Sequence, residues 1–141
     1  MEYIKEVILV SGLFVNYIID IKKKKISVAV IILMAIGAIC IDIYYENFSI
    51  IENVLSFVPG VILLIVSAMS NQSIGYGDGL LILCMGLFIC MENIFFVCMI
   101  AVSIAGIVAM ILVLICNKKR NYEIPLVPFI FLGYGLMRGM I

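Results

Sequence analysis

The chain has 141 residues, 66% of them hydrophobic and 13% charged, with zero net charge and a mean hydropathy of +1.32. Soluble domains carry about 25% charged residues, so the composition excludes that class and indicates an integral membrane protein folded as one domain over residues 1–141. The absence of histidine rules out Ser-His and Cys-His nucleophilic pairs and zinc hydrolases of the H-E-x-x-H type.

Taken in order, the apolar runs predict six membrane-spanning helices. Residues 4–20 form the first, read as a retained helix because no small-residue cleavage site follows it. Lys22-Lys23-Lys24-Lys25 comes next, then a second span from Ile26 to Tyr45. The acidic segment Glu46–Asn53 closes it, and a third span runs from Val54 to Ser70 with a kink expected at Pro59-Gly60. A loop over 71–79 carries Ser73-Ile74-Gly75-Tyr76-Gly77-Asp78-Gly79. Leu80 to Met91 is a short fourth run, with a break expected at Glu92-Asn93. Ile94 to Cys116 is the fifth span; the polar loop Asn117–Glu123 leads into a sixth that opens at Ile124-Pro125-Leu126-Val127-Pro128.

The fourth run gives about 18 Å of helix against about 30 Å of hydrocarbon. Joining it to the fifth would make a helix of about 55 Å and would put Lys118, Lys119 and Arg120 on the wrong side. With the break kept, the fourth helix starts below the membrane surface, and Asp78 lies at the floor of a recess. Seven of the nine basic residues fall in the loops 22–25 and 118–120, which six spans place on one side. That side is the cytoplasmic one by the positive-inside rule, so the N- and C-termini are outside. Asp20 and Asp78 then face the cytoplasm together.

An acidic side chain near hydrocarbon depth needs a partner or a watery cavity and marks a functional candidate. Two nearby carboxylates that share one proton can activate a water and protonate an amide, which suits peptide hydrolysis without a metal. Asp20 and Asp78 are the candidates for such a dyad. The glycines beside Asp78 permit close backbone approach and strand-like pairing with an extended substrate. The plain alternatives are a turn aspartate capping the fourth helix for Asp78 and a helix-end residue paired with lysines for Asp20. Asn16 either hydrogen-bonds Asp20 or faces a neighbouring helix. Tyr76 reads as a packed interfacial aromatic or a substrate contact. Glu123 reads as a solvated loop acid, and Lys22 to Lys25 as topology determinants that touch anionic lipid. Cys40, Cys84, Cys90, Cys98 and Cys116 lack a C-x-x-C pair and read as small buried hydrophobes. No cofactor, metal or nucleic-acid partner is expected.

Gly75-Tyr76-Gly77-Asp78 resembles the G-x-G-D motif of aspartyl intramembrane proteases. An aspartate ending the first helix, followed by a basic run and Ile26, resembles the first catalytic motif of type IV prepilin peptidases. Ile124-Pro125-Leu126-Val127-Pro128-Phe129 is similar to that family's proline-containing start of the last helix. The resemblance implies a short, six-span form without the tetracysteine and N-methyltransferase portion. It further implies that Asp20 and Asp78 cleave the basic leader of prepilin or pilin-like precursors at the cytoplasmic face, in pilus assembly or protein secretion. Gly75, Tyr76, Gly77 and Gly79 supply the motif backbone beside the substrate. Two departures stand out: Ile26-Ser27-Val28 where the family has Ile-Pro-Asn, and Gly79-Leu80 where Val-Lys is common. The competing class is a small membrane scaffold or channel-like protein whose aspartates line a polar cavity, although two oxygen ligands make a poor cation site.

Overall fold

Long apolar runs rich in Ile, Leu, Val, Met and Ala satisfy their backbone polar groups most simply as helices, which is also the form that hydrocarbon demands. The computed structural model describes residues 2–23, 26–45, 50–69, 75–114 and 125–140. Regular structure among these residues is entirely helical. The segments are α1 (Glu2–Lys23), α2 (Val28–Tyr44), α3 (Ile50–Ser56), α4 (Val58–Met69), α5 (Tyr76–Met85), α6 (Met91–Leu114) and α7 (Val127–Met140). Lys24, Lys25, the 46–49 stretch, Ser73, Ile74, Cys116, the Asn117–Glu123 loop and Ile124 lie outside the described residues, and with them half of the 22–25 lysine cluster and all of the 118–120 cluster behind the expected orientation.

Each expected span has a helical counterpart. The third is split at Phe57 into α3 and α4, two residues before Pro59, whose missing N–H and ring interrupt a regular ladder. The fourth departs from expectation: α5 ends at Met85, residues 86–89 form turns, and α6 already begins at Met91. Glu92 therefore sits in the first turn of α6 rather than breaking a helix. An acid is favourable there because the helix N-terminus carries partial positive charge.

Helix α5 is short and largely enclosed, with Asp78, Gly79, Leu81, Ile82, Cys84 and Met85 buried. It runs antiparallel to α4 at close range. A Cβ on Gly60 would stand 2.6 Å from the Leu83 backbone, and one on Gly79 would stand 2.8 Å from the Leu64 side chain. Small residues at such crossings let two backbones approach, the main source of helix association in lipid. The core gathers Leu9, Leu13, Met34, Leu81, Ile82, Met85, Ile94, Val97, Val127 and Ile130 around α5. Helices α1 and α7 add the ring cluster Phe14, Tyr17 and Phe131, with centroids 5.8–6.3 Å apart.

Polarity runs inside out. Asn16, Asp20, Asp42, Ser67 and Asp78 are buried, while Leu33, Ile43, Val7, Met99 and Met110 are at least 60% exposed. One helix, Met91–Leu112 with mean hydropathy 2.8, is by itself long and apolar enough to cross a membrane. Only 17% of its most apolar window is buried, which is not how a soluble protein treats a core helix. The apolar helices Val28–Tyr44, Asn53–Met69 and Tyr76–Met85 are shorter.

Candidate active site

Asp20 lies in the last turn of α1, 5% exposed. Its Oδ2 accepts a hydrogen bond, 3.2 Å long, from the backbone N–H of Val127, the first residue of α7. The first N–H groups of a helix have no partner within it, and they carry the positive end of the dipole. A carboxylate from a neighbouring helix is therefore a fitting acceptor. The sequence placed Asp20 at the end of one helix but held no sign of this contact, made across 107 residues of chain.

Asp78 is the third residue of α5 and 9% exposed. Gly75 is the N-cap, in extended conformation at φ −64° and ψ 133°. The Asp78 N–H donates to the Gly75 carbonyl at 3.1 Å, and the Asp78 carboxylate accepts a hydrogen bond from the Gly75 backbone. This is the reach-back of a capping box, made by the acid three residues after the cap. Capping and chemistry are thus not alternatives here, because the same carboxylate also lies within electrostatic reach of Asp20. The structure brings the two aspartates to one end of the bundle. Among the described residues no basic side chain pairs with either of them.

The motif glycines serve different ends. Gly77 faces the segment between α1 and α2: a Cβ there would stand 2.9 Å from the Ile26 Cβ, closer than real contacts allow. Gly79 is buried at the α4 crossing, while Gly75 is exposed. Gly75's single backbone donor is taken by Asp78, so strand-like pairing with a substrate has no free N–H at that residue. Tyr76 is 44% exposed rather than packed, which leaves its ring available beside the site.

Asn16 does not touch Asp20. Fully buried, it donates from Nδ2 to the Gly12 carbonyl at 3.2 Å and accepts at Oδ1 from the Ser27 N–H at 3.1 Å. Sequence reasoning also passed over Asp42, 2% exposed and ion-paired with Lys5 at the opposite end of α1 and α2. Of the described cysteines only Cys84 is buried; Cys40 and Cys90 are exposed and Cys98 is partly covered. The reading of all of them as buried hydrophobes therefore fails at the bundle's apolar surface. No group of three or more acidic or cysteine side chains stands together among the described residues to hold a metal ion. An apolar groove of about 440 Å³ on α1, lined by Tyr3, Glu6, Val7, Val10, Ser11 and Phe14, includes neither aspartate.

Residues 7–115 of the 141 match the model of the type IV leader peptidase family. No curated protein and no solved structure matches the chain. The matched stretch includes both aspartates and the G-x-G-D motif and stops before Pro125. With three quarters or so of its length accounted for in this way, the chain belongs to the type IV leader peptidase family, a family of membrane peptidases.

Proposed function

We propose that the chain is a six-span aspartic endopeptidase that removes the basic leader from pilin-like precursors at the cytoplasmic membrane face, with Asp20 and Asp78 as its catalytic pair. The observation that carries this reading is the placing of two buried carboxylates, from α1 and α5, within electrostatic reach of each other at one end of the bundle. Family membership supports peptide hydrolysis, and the apolar surface supports residence in a bilayer. The basic loops support a cytoplasmic site.

Two carboxylates in one desolvated site hold a single proton between them. The ionised member takes a proton from water as the oxygen attacks the scissile carbonyl carbon. The protonated member gives its proton to the carbonyl oxygen. As the C–N bond breaks, the first carboxyl passes the proton it took from water to the leaving amine, and a hydroxyl of the intermediate returns a proton to the second. Each half of the pair thus reverses its role within a turnover. The half-exposed Tyr76 and the tight Gly77 border the place where the chain to be cut would lie. Anionic lipid beside Lys22 and the lysines that follow would retain the membrane surface close to this end.

The test is co-expression with pilin-like precursors, scoring leader removal by mobility and mass. Asp20→Asn and Asp78→Asn are each expected to abolish removal while membrane insertion persists. Leader removal that survives either substitution eliminates the pair as the catalytic device.

A further inference from the structure

We infer that Asn16 is a positioning residue for the aspartate pair: its side chain latches the α1–α2 connection so that Ile26 seats on Gly77 and the two aspartate-bearing helix ends stay in register. The inference rests on the proposed protease reading, but its geometry is separate from the aspartates. Asn16 is 0% exposed, and its amide uses both ends. Nδ2 bonds the Gly12 carbonyl one turn earlier, and Oδ1 takes the Ser27 N–H, 11 residues on. Ser27 is the N-cap of α2, and its side chain makes no capping bond. Its backbone N–H is therefore spent on Asn16 rather than left to water. The residue before it, Ile26, packs where a Cβ on Gly77 would stand only 2.9 Å from the Ile26 Cβ. Gly77 directly precedes Asp78, and Asn16 lies one turn before Asp20. The chain of contacts Asn16, Ser27, Ile26, Gly77 thus spans from one aspartate's helix to the other's. A buried amide is costly unless its hydrogen bonds are made. Here one is made within α1, to Gly12, and the other to Ser27, next to the residue that packs on Gly77.

Misplacement of reacting groups by about 1 Å can lower a rate by about 100-fold. Asn16→Leu, which fills the volume without the amide, should therefore lower kcat about 10- to 100-fold on a leader-containing precursor peptide. KM should change less than about threefold, because substrate contacts remain while the transition-state geometry is lost. The full chain in lipid nanodiscs is used, and rates are taken per folded protein. Ile26→Ala is the second variant: it removes the Cγ1 and Cδ1 atoms that face Gly77 and leaves the groups of the Asn16 hydrogen bonds in place. It should reproduce the kcat loss, and the double variant should be no worse than the more affected single one, since both cut one link. A purely structural amide would lower the folded fraction and leave kcat per folded molecule intact.

Wild-type kcat in either folded variant, or losses that multiply in the double variant, would overturn the inference. Should Asn16→Leu fail to fold, Ile26→Ala decides alone. A readout without catalysis uses nitroxide amino acids at Lys22 and Tyr76, both exposed. The pair distance distribution should be narrow in the parent and broad in each variant, and an unchanged width would refute the latch. Unaltered leader removal in Asp20→Asn would instead refute the aspartate pair as the catalytic device and leave the distance measurement standing.

Discussion

The two ends of the helix bundle treat buried acid in opposite ways. At one end Asp20 and Asp78 lie within electrostatic reach of each other, held by backbone N–H groups at the starts of α7 and α5. At the other end Asp42 is matched by Lys5, which also donates to the Leu87 carbonyl at 3.4 Å, and Glu6 is matched by Arg138 through a bond of 2.6 Å from Nε. A protein that needs only to stay folded neutralises its buried charge with a cation. Two buried acids within electrostatic reach of each other and without a cation cost stability, and such a placement is the kind found where groups exchange protons. The contrast also separates two uses of α1: its first turns fasten α2 and α7, and its last turn presents the Asp20 carboxyl to the start of α7.

Substitutions that act on one end alone sharpen this contrast. The largest effect is expected for Asp78→Asn or Asp20→Asn, with leader removal reduced by about 1,000-fold or more and thermal unfolding little changed, read by precursor mass and by a melt in detergent. Lys5→Met should do the reverse. Stranding Asp42, 2% exposed, costs about 3–5 kcal/mol, seen as a lower unfolding midpoint, with kcat per folded molecule preserved. Adding Asp42→Leu to Lys5→Met should restore most of that loss, because well-packed apolar residues replace a buried pair at little cost. Failure of the restoration would show that the ion pair does more than hold helices. Gly77→Ala pushes Ile26 away and should lower cleavage about tenfold, less than removal of a carboxylate. Glu6→Gln is expected to be the mildest, leaving both midpoint and activity within error, since its partner Arg138 is 41% exposed and exposed pairs contribute little.

Much of this layout was legible in the residue order. Apolar runs gave the helices, and Asp20 and Asp78 stood out because a carboxylate in such runs is rare. The short fourth helix was visible too, but its end was placed at Glu92-Asn93 when Gly86 marks the change. Polar residues suggested a break, whereas an acid at the head of an apolar run more often opens a helix. The partners of the acids were not legible. Val127 contributes a backbone group, which no side-chain pattern encodes. Lys5 and Asp42 are single charges at opposite ends of different helices, and only the antiparallel packing of α1 on α2 brings them together. Asn16 was weighed as a neighbour of Asp20 by helical spacing, yet both of its hydrogen bonds go elsewhere, because the connection into α2 folds back over it.

The bond from Val127 to Asp20 joins the final helix to the first. Along the chain these two residues stand 107 positions apart, so the Asp20 carboxyl receives this donor only after α7 has been made. A nascent chain that has emerged only as far as α6 still lacks that contact, and the Asp20 carboxyl gains it when α7 packs against α1.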